Sequence, residues 1–249
     1  MRIALALAVF ALGWIITPAW AAEPAPCPIP EELVTPDEPL TAVRAAIKSH
    51  LPIHILAIGS ASTNAAPGGP HSSFPYEAVQ GLRAALPGTE ITLSVKGRRG
   101  LTAAEMAPLI EQGLKEDHIS LVLWQTGTVE AVRGLSPSDL EDALSEGARA
   151  ILDAGADGIL IDPQYSHFLH ANVDLEPYEQ ALEHVASLFP HLTLFRRFEL
   201  MHSWADDGVL DLERMEPDER HAAIARLHQC LGAALTRFIM HGVEQSAEQ

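Results

Sequence analysis

Five short segments with strand patterns alternate with longer segments of helical spacing, and this alternation constrains the fold more than any other feature of the chain. Four of them are apolar runs, at about residues 52–58, 119–124, 158–161 and 192–195, and the segment at about 90–95 alternates between apolar and polar residues. Apolar residues three or four positions apart predict helices at about residues 40–50, 74–86, 101–114, 136–154, 177–189 and 217–241. Strands that alternate with helices favour a parallel sheet covered on both faces, with right-handed crossovers. We therefore predict an α/β fold with a five-stranded parallel sheet.

Length and charge narrow the classes of protein to which the chain can belong. Its 249 residues are 47% hydrophobic and 20% charged, which suits one globular domain with a sizeable core. Thirty-three acidic residues against sixteen basic ones give a formal charge of −17. Nucleic acids and anionic membranes attract positively charged surfaces, so this balance argues against both as partners.

The first 21 residues predict a signal peptide. Arg2 gives a short positive start, the next fourteen residues are almost wholly apolar, and Ala19-Trp20-Ala21 fits a signal peptidase site. We therefore predict a periplasmic or secreted protein without a stable membrane anchor after cleavage. The expected organisation is a signal peptide (1–21), a Pro-rich leader with a short helix (22–50), the main domain (51–242) and a disordered tail (243–249).

Cys27 and Cys230 are the two cysteines of the chain. In an oxidising compartment an even pair is a candidate disulfide. The alternative is two unpaired thiols, one in a loose leader and one buried on a helix.

Four loops that follow predicted strands carry small and polar residues. Because the carboxyl ends of parallel strands meet at one edge of the sheet, these loops are expected to lie together. A serine nucleophile needs a base and an acid that orients the base, and Asp218-x-x-His221 offers both. The four loops are Gly59–Thr63, Lys96–Gly100, Trp124–Thr128 and Asp162–Tyr165.

These residues resemble those of the SGNH (GDSL-type) hydrolases, and the resemblance extends from His54 to Leu235. The four blocks of that family correspond in order to Gly59–Thr63, Gly97–Gly100, Gly127–Val129 and Asp218–His221. The resemblance implies a flavodoxin-like three-layer sandwich. It also implies serine-dependent hydrolysis of a small acyl ester, for example an O-acetylated carbohydrate.

The resemblance assigns a role to each candidate site residue. Ser62 or Ser60 is the expected nucleophile, His221 the general base and then acid, and Asp218 the residue that orients His221. Backbone N–H groups of glycine-bearing loops are the expected oxyanion donors. These glycines are Gly97, Gly100 and Gly127.

Several block positions depart from the family pattern. In a register anchored on Gly59 and Thr63, the serine position of the family falls on Ala61. The asparagine position of the third block falls on Val129, which has no side-chain donor. The asparagine position of the second block falls on Val95 or Lys96. Loss of one oxyanion donor typically lowers turnover by about 10²–10³.

The departures leave two classes of function open. One is the serine hydrolase just described. The other is a non-catalytic SGNH-like domain, a pseudoenzyme that binds a glycan or a protein partner. In that case Ser60 and Ser62 only cap a helix or satisfy a turn, and Asp218 favours a helix N-terminus. A purely structural envelope protein is a third, weaker interpretation.

Two further motifs have residue types that occur in binding sites. Lys96-Gly97-Arg98-Arg99 is either a solvated loop or a contact for an anion or a carbohydrate. His167-x-x-His170, near Asp162, has no third ligand at helical spacing, so we predict no metal site there. Phosphate-binding glycine motifs and Cys-x-x-Cys are absent from the sequence, and we predict no cofactor.

Overall fold

The computed structural model describes residues 27–64, 69–116 and 118–245. The predicted signal peptide and residues 246–249 of the predicted tail lie outside them. The strands are β1 (Ile53–Gly59), β2 (Ile91–Gly97), β3 (Leu121–Gln125), β4 (Asp157–Ile161) and β5 (Leu192–Phe195). The helices in the described part are α1 (Thr41–Lys48), α2 (Ala61–Asn64), α3 (Phe74–Ala85), α4 (Ala103–Glu116), α5 (Thr128–Arg133), α6 (Pro137–Asp153), α7 (His167–Asn172), α8 (Glu176–Leu188), α9 (Arg197–Asp206) and α10 (Arg220–Gln245).

The five strands form one parallel sheet in the order β2-β1-β3-β4-β5. This is the order of flavodoxin-like folds, so the predicted fold class is confirmed. The chain moves outward from β1 to β2 and then crosses back to β3. Ligands in such sheets bind at the carboxyl ends of the strands where the winding reverses, and here that point lies between β1 and β3.

Two layers of helices cover the sheet. Successive side chains of a strand point to opposite faces, and β1 shows this directly. Ile53, Ile55 and Ala57 belong to one core cluster, with α1, α3, α9 and α10. Leu56 and Ile58 belong to the other, with α4, α6 and α8. Both faces of the strand are buried, which explains why its sequence is continuously apolar rather than alternating.

The segment before α1 is attached to the body of the domain. Cys27 and Cys230 are joined by a disulfide, with their Cα atoms 5.7 Å apart. The indole N–H of Trp204 donates to the Pro28 carbonyl at 2.6 Å, and the Arg237 guanidinium donates to the Ile29 carbonyl at 3.2 Å. These contacts tie the start of the described chain to α9 and α10.

The helices differ from the sequence predictions in several places, among them α2, α5 and α7, which were not predicted. The last helix begins at Arg220 and continues to Gln245, so residues 243–245 are helical although they were predicted to start a disordered tail. The helix α9 was not predicted, although it buries Arg197, Leu200 and Trp204 at helical spacing. None of the helices within the described ranges is both long and apolar enough to cross a membrane.

A close approach between α6 and β3 provides a test of the packing. A Cβ atom on Gly147 would lie 2.5 Å from the ring of Trp124, which is fully buried. We expect Gly147→Ala to lower the free energy of unfolding by about 1–3 kcal/mol, because the ring has no room to move. Urea denaturation measures this, with Glu146→Ala on the exposed side of α6 as the control. Equal effects of the two variants would contradict the packing described here.

Candidate active site

The loop after β1 places its small residues at the carboxyl edge of the sheet. The helix α2 begins at Ala61, directly after Ser60. A Cβ atom on Gly59 would lie 2.2 Å from the Thr63 hydroxyl oxygen. Glycine is therefore required where the strand turns into this helix. Ser60 and Thr63 are buried, whereas Ala61 and Ser62 are partly exposed.

Both serine hydroxyl groups form hydrogen bonds inside the protein. The Ser60 oxygen accepts the Gly100 N–H at 3.0 Å. The Ser62 hydroxyl donates to Gln125 Oε1 at 3.0 Å, and its oxygen accepts a hydrogen bond from Arg197 Nη1 at 3.3 Å. Within the described part of the chain, neither serine is hydrogen-bonded to a histidine.

Asp218 and His221 lie apart from these contacts. Asp218 is in the turn before α10 and His221 in its first turn, and both are exposed. No hydrogen bond or ion pair joins either side chain to another described residue. In the structure, the Asp-x-x-His pair is therefore not assembled into a relay with Ser60 or Ser62.

Two of the three glycines predicted as oxyanion donors already donate hydrogen bonds within the protein. The Gly100 N–H is bonded to Ser60, and the Gly127 N–H donates to the buried Glu130 carboxylate at 3.1 Å. At Gly97, where φ is +122°, a Cβ atom would lie 2.3 Å from the Gly59 carbonyl oxygen. Gly97 therefore permits the close approach of β2 to the serine loop.

Polar side chains near Val129, where the family has its third-block asparagine, also form hydrogen bonds within the protein. Gln125 Oε1 accepts the Thr63 hydroxyl at 2.7 Å as well as Ser62. The Thr128 hydroxyl accepts the Gln164 N–H at 3.3 Å. The Glu130 carboxylate also accepts the N–H of Ala103 at the start of α4.

Two ionisable side chains whose burial the sequence did not reveal, Arg197 and Asp162, lie near the serine loop, where Arg197 contacts Ser62. Arg197 is only 1% exposed, and its Nε and Nη2 atoms have no hydrogen-bond partner. Asp162 accepts the Phe198 N–H at 2.8 Å. Burial raises the pKa of Asp162 to about 8, although this N–H and Arg197 oppose the shift. Burial lowers the pKa of Arg197 to about 10, so the guanidinium remains charged at neutral pH.

His228, on α10 two turns after His221, is a second residue that the sequence analysis missed. Its ring is 5% exposed, stacks on Phe74, and accepts the Phe74 N–H at Nδ1 with a distance of 3.1 Å. Burial, and then the charge of Arg197, lower the pKa of His228 to about 4. The ring is therefore neutral at pH 7.

The basic cluster of the sequence is a solvated surface with ion pairs. Lys96 pairs with Glu116, and the exposed Arg98 lies 3.8 Å from Glu105. Exposed pairs of this kind contribute little to stability. Two of the three basic side chains in this cluster therefore have acidic partners.

A pocket of about 360 Å³ lies between the β4–α7 connection, α9 and the start of α10, and no residue of the serine loop lines it. At its edge His167 Nε2 and Asp211 Oδ2 are 2.9 Å apart, and His167 Nδ1 and the Tyr165 hydroxyl 3.0 Å apart. His170 instead contacts the rings of Tyr165 and Phe198. Among the described residues, no group of three potential ligands is placed to hold a metal ion.

Comparison with known families identifies the chain. The sequence model of the non-GDSL lipase-like family matches residues 26–245. The chain belongs to the non-GDSL lipase-like family. A search of curated proteins found no match for this family member.

Solved structures show which fold this member of the non-GDSL lipase-like family shares. TesA is 21% identical, with a TM-score of 0.57 over 74% of this chain and 99% of its own. AlinE4, an SGNH-hydrolase family esterase, is 20% identical, with a TM-score of 0.51 over 69% and 89%. A two-domain esterase (CEX) active on acetylated mannans, co-crystallised with mannopentaose, is 12% identical, with a TM-score of 0.62 over 83% and 54%. The chain thus has the SGNH esterase fold, and the predicted resemblance is confirmed.

Proposed function

We propose that this protein is a non-catalytic member of its family, which uses the SGNH fold to bind a small molecule rather than to hydrolyse an ester. The observation that carries this proposal is the hydrogen bonding of the serine loop. Ala61 stands between two serines whose oxygens contact an amide, a guanidinium and a backbone N–H, and no base.

Chemistry at Ser62 requires a group that removes its proton. The Ser62 hydroxyl points to Gln125 Oε1, and an amide oxygen is far too weak a base for this step. Arg197 donates to the same oxygen and has no lone pair to accept a proton. Attack by Ser62 would therefore require the loop to rearrange.

Neither His228 nor His221 replaces the missing base. His228 is neutral, but its pKa of about 4 makes it a weak base, and the Phe74 N–H occupies its Nδ1 lone pair. His221 is exposed and has no orienting carboxylate among the described residues. A general base works best when its pKa lies near the working pH.

The setting that we propose for this binding function is the periplasm or the outside of the cell. Residues 1–21 have the pattern of a signal peptide. A disulfide joins Cys27 to Cys230, and such bonds persist in oxidising compartments. The activity of CEX on acetylated mannans indicates that acyl groups and sugars are both suitable starting points for a ligand search.

Hydrolysis of p-nitrophenyl acetate by the mature chain tests the proposal. We expect the same low rate for the wild type and for the matched variants Ser60→Ala and Ser62→Ala, because none has an activated nucleophile. Thermal melts check that all three are folded. Turnover by the wild type that disappears in one serine variant would contradict the proposal and support the serine esterase.

A further inference from the structure

We propose that the pocket between the β4–α7 connection, α9 and the start of α10 binds a small aliphatic carboxylate. This inference rests on the proposed function and names the ligand class and the site. The pocket of about 360 Å³ is at the small end of the range of ligand sites, which is about 300–1,000 Å³. Its residues belong neither to the serine loop nor to the glycine loops.

One part of the pocket wall is aliphatic, and the segment Gln164–His167 contributes polar groups to the rest. Ile224 and Leu227 are three residues apart on one face of α10, opposite Met201 and Ala205 of α9. Leu210 and Leu212 complete this surface. Aliphatic walls of this kind favour a hydrocarbon chain.

Arg220 supplies the charge that fixes the head group. It lines the pocket one turn before Ile224, and its guanidinium has no hydrogen bond or ion pair with another described residue. A guanidinium binds a carboxylate through two parallel hydrogen bonds. The ligand is therefore expected to place its carboxylate at Arg220 and its chain against Ile224.

Both acidic residues that line the pocket, Asp211 and Glu213, already accept hydrogen bonds from the protein. Asp211 accepts hydrogen bonds from the backbone N–H groups of Glu213 and Arg214 and contacts His167 and the Arg214 guanidinium. Burial alone would raise the pKa of Asp211, but these hydrogen bonds lower it, so the carboxylate is ionised and occupied. The exposed Glu213 accepts the Phe168 N–H and has no ion pair with a described residue. Arg220 is thus the cationic lining group left to bind an anionic ligand.

Calorimetric titration of the mature chain with butanoate, hexanoate and octanoate at constant ionic strength tests the proposal. Each buried methylene group is expected to strengthen binding about fourfold. We expect Arg220→Gln to weaken octanoate binding by about tenfold to hundredfold, while 1-octanol, which has no charge, binds both proteins equally. Ile224→Asn should weaken the binding of both octanoate and 1-octanol. Arg98→Gln, which removes an exposed charge outside the pocket, should change the affinity for neither ligand.

The outcomes separate this proposal from the proposed function. Absence of octanoate binding, or equal octanoate affinity in the wild type and Arg220→Gln, would overturn the carboxylate site and leave the non-catalytic assignment intact. Binding of mannopentaose without binding of octanoate would overturn the ligand class. Serine-dependent ester turnover would overturn the proposed function, whatever the pocket binds.

Discussion

Loss of the Cys27–Cys230 disulfide is expected to lower the free energy of unfolding by about 5 kcal/mol. The bond closes a loop with a sequence separation of 203 residues, and the loop entropy removed from the unfolded chain grows with the logarithm of that separation. The effect is comparable to the whole stability of many domains, which is about 5–15 kcal/mol. A double Cys27→Ser/Cys230→Ser variant should therefore unfold at a much lower temperature.

Urea denaturation of the oxidised, reduced and double-serine proteins measures this effect. The reduced wild type and the double variant should agree, since both lack only the cross-link. Reductant should leave the double variant unchanged, which controls for nonspecific effects. A difference below about 1 kcal/mol between the oxidised and reduced proteins would contradict the pairing.

Asp162 is expected to make the protein less stable as the pH rises from 6.5 to 8. Its pKa is raised to about 8 in the folded protein, above the ordinary value near 3.9 in the unfolded chain. The folded state therefore holds a proton that the unfolded state has lost, and stability falls with pH across this interval. The expected loss is up to about 2 kcal/mol between pH 6.5 and 8. Asp162→Asn should remove it.

Other buried groups change the stability mainly below pH 6.5. The interval above pH 6.5 therefore measures the effect of Asp162 on stability. His228, whose pKa is lowered to about 4, makes stability rise with pH between about 4 and 6.5. Burial raises the pKa of Asp157 to about 6. Asp157 therefore makes stability fall as the pH rises towards that value. Urea denaturation at several pH values should show that Asp157→Asn retains the loss above pH 6.5. A wild-type curve that is flat from pH 6.5 to 8 would contradict the burial of Asp162.

The fold was predictable because four strands are short apolar runs bounded by polar or turn residues and β2 alternates between apolar and polar residues. Leu192–Phe195 was predicted with its observed ends, and the other strands differ by one to two residues. Helix ends were less predictable, because they depend on contacts distant in sequence. Thus α10 begins at Arg220, after the turn that contains Asp218, and its far end is held by Gln245, which donates to the Pro36 carbonyl.

The place of the serine loop at the edge of the sheet was predictable, but its contacts were not. The sequence placed Ser60, Ser62 and Gln125 at the same edge of the sheet, and the structure brings Ser62 and Gln125 together. It did not reveal Arg197, because the burial of a charged residue depends on which neighbours enclose it. A signal was present at His228, which lies among the apolar positions Leu227 and Leu231 of α10. A polar residue at a core position of a helix indicates a specific partner, here Phe74.

Fluorophosphonate labelling followed by intact-protein mass spectrometry tests the central claim most directly. The reagent forms a covalent bond with an activated serine, and it needs no knowledge of the natural substrate. The proposed binding role predicts no mass increase in the folded mature chain under conditions that label an active serine esterase fully. Stoichiometric labelling that maps to Ser60 or Ser62 and disappears on its substitution by alanine would contradict it.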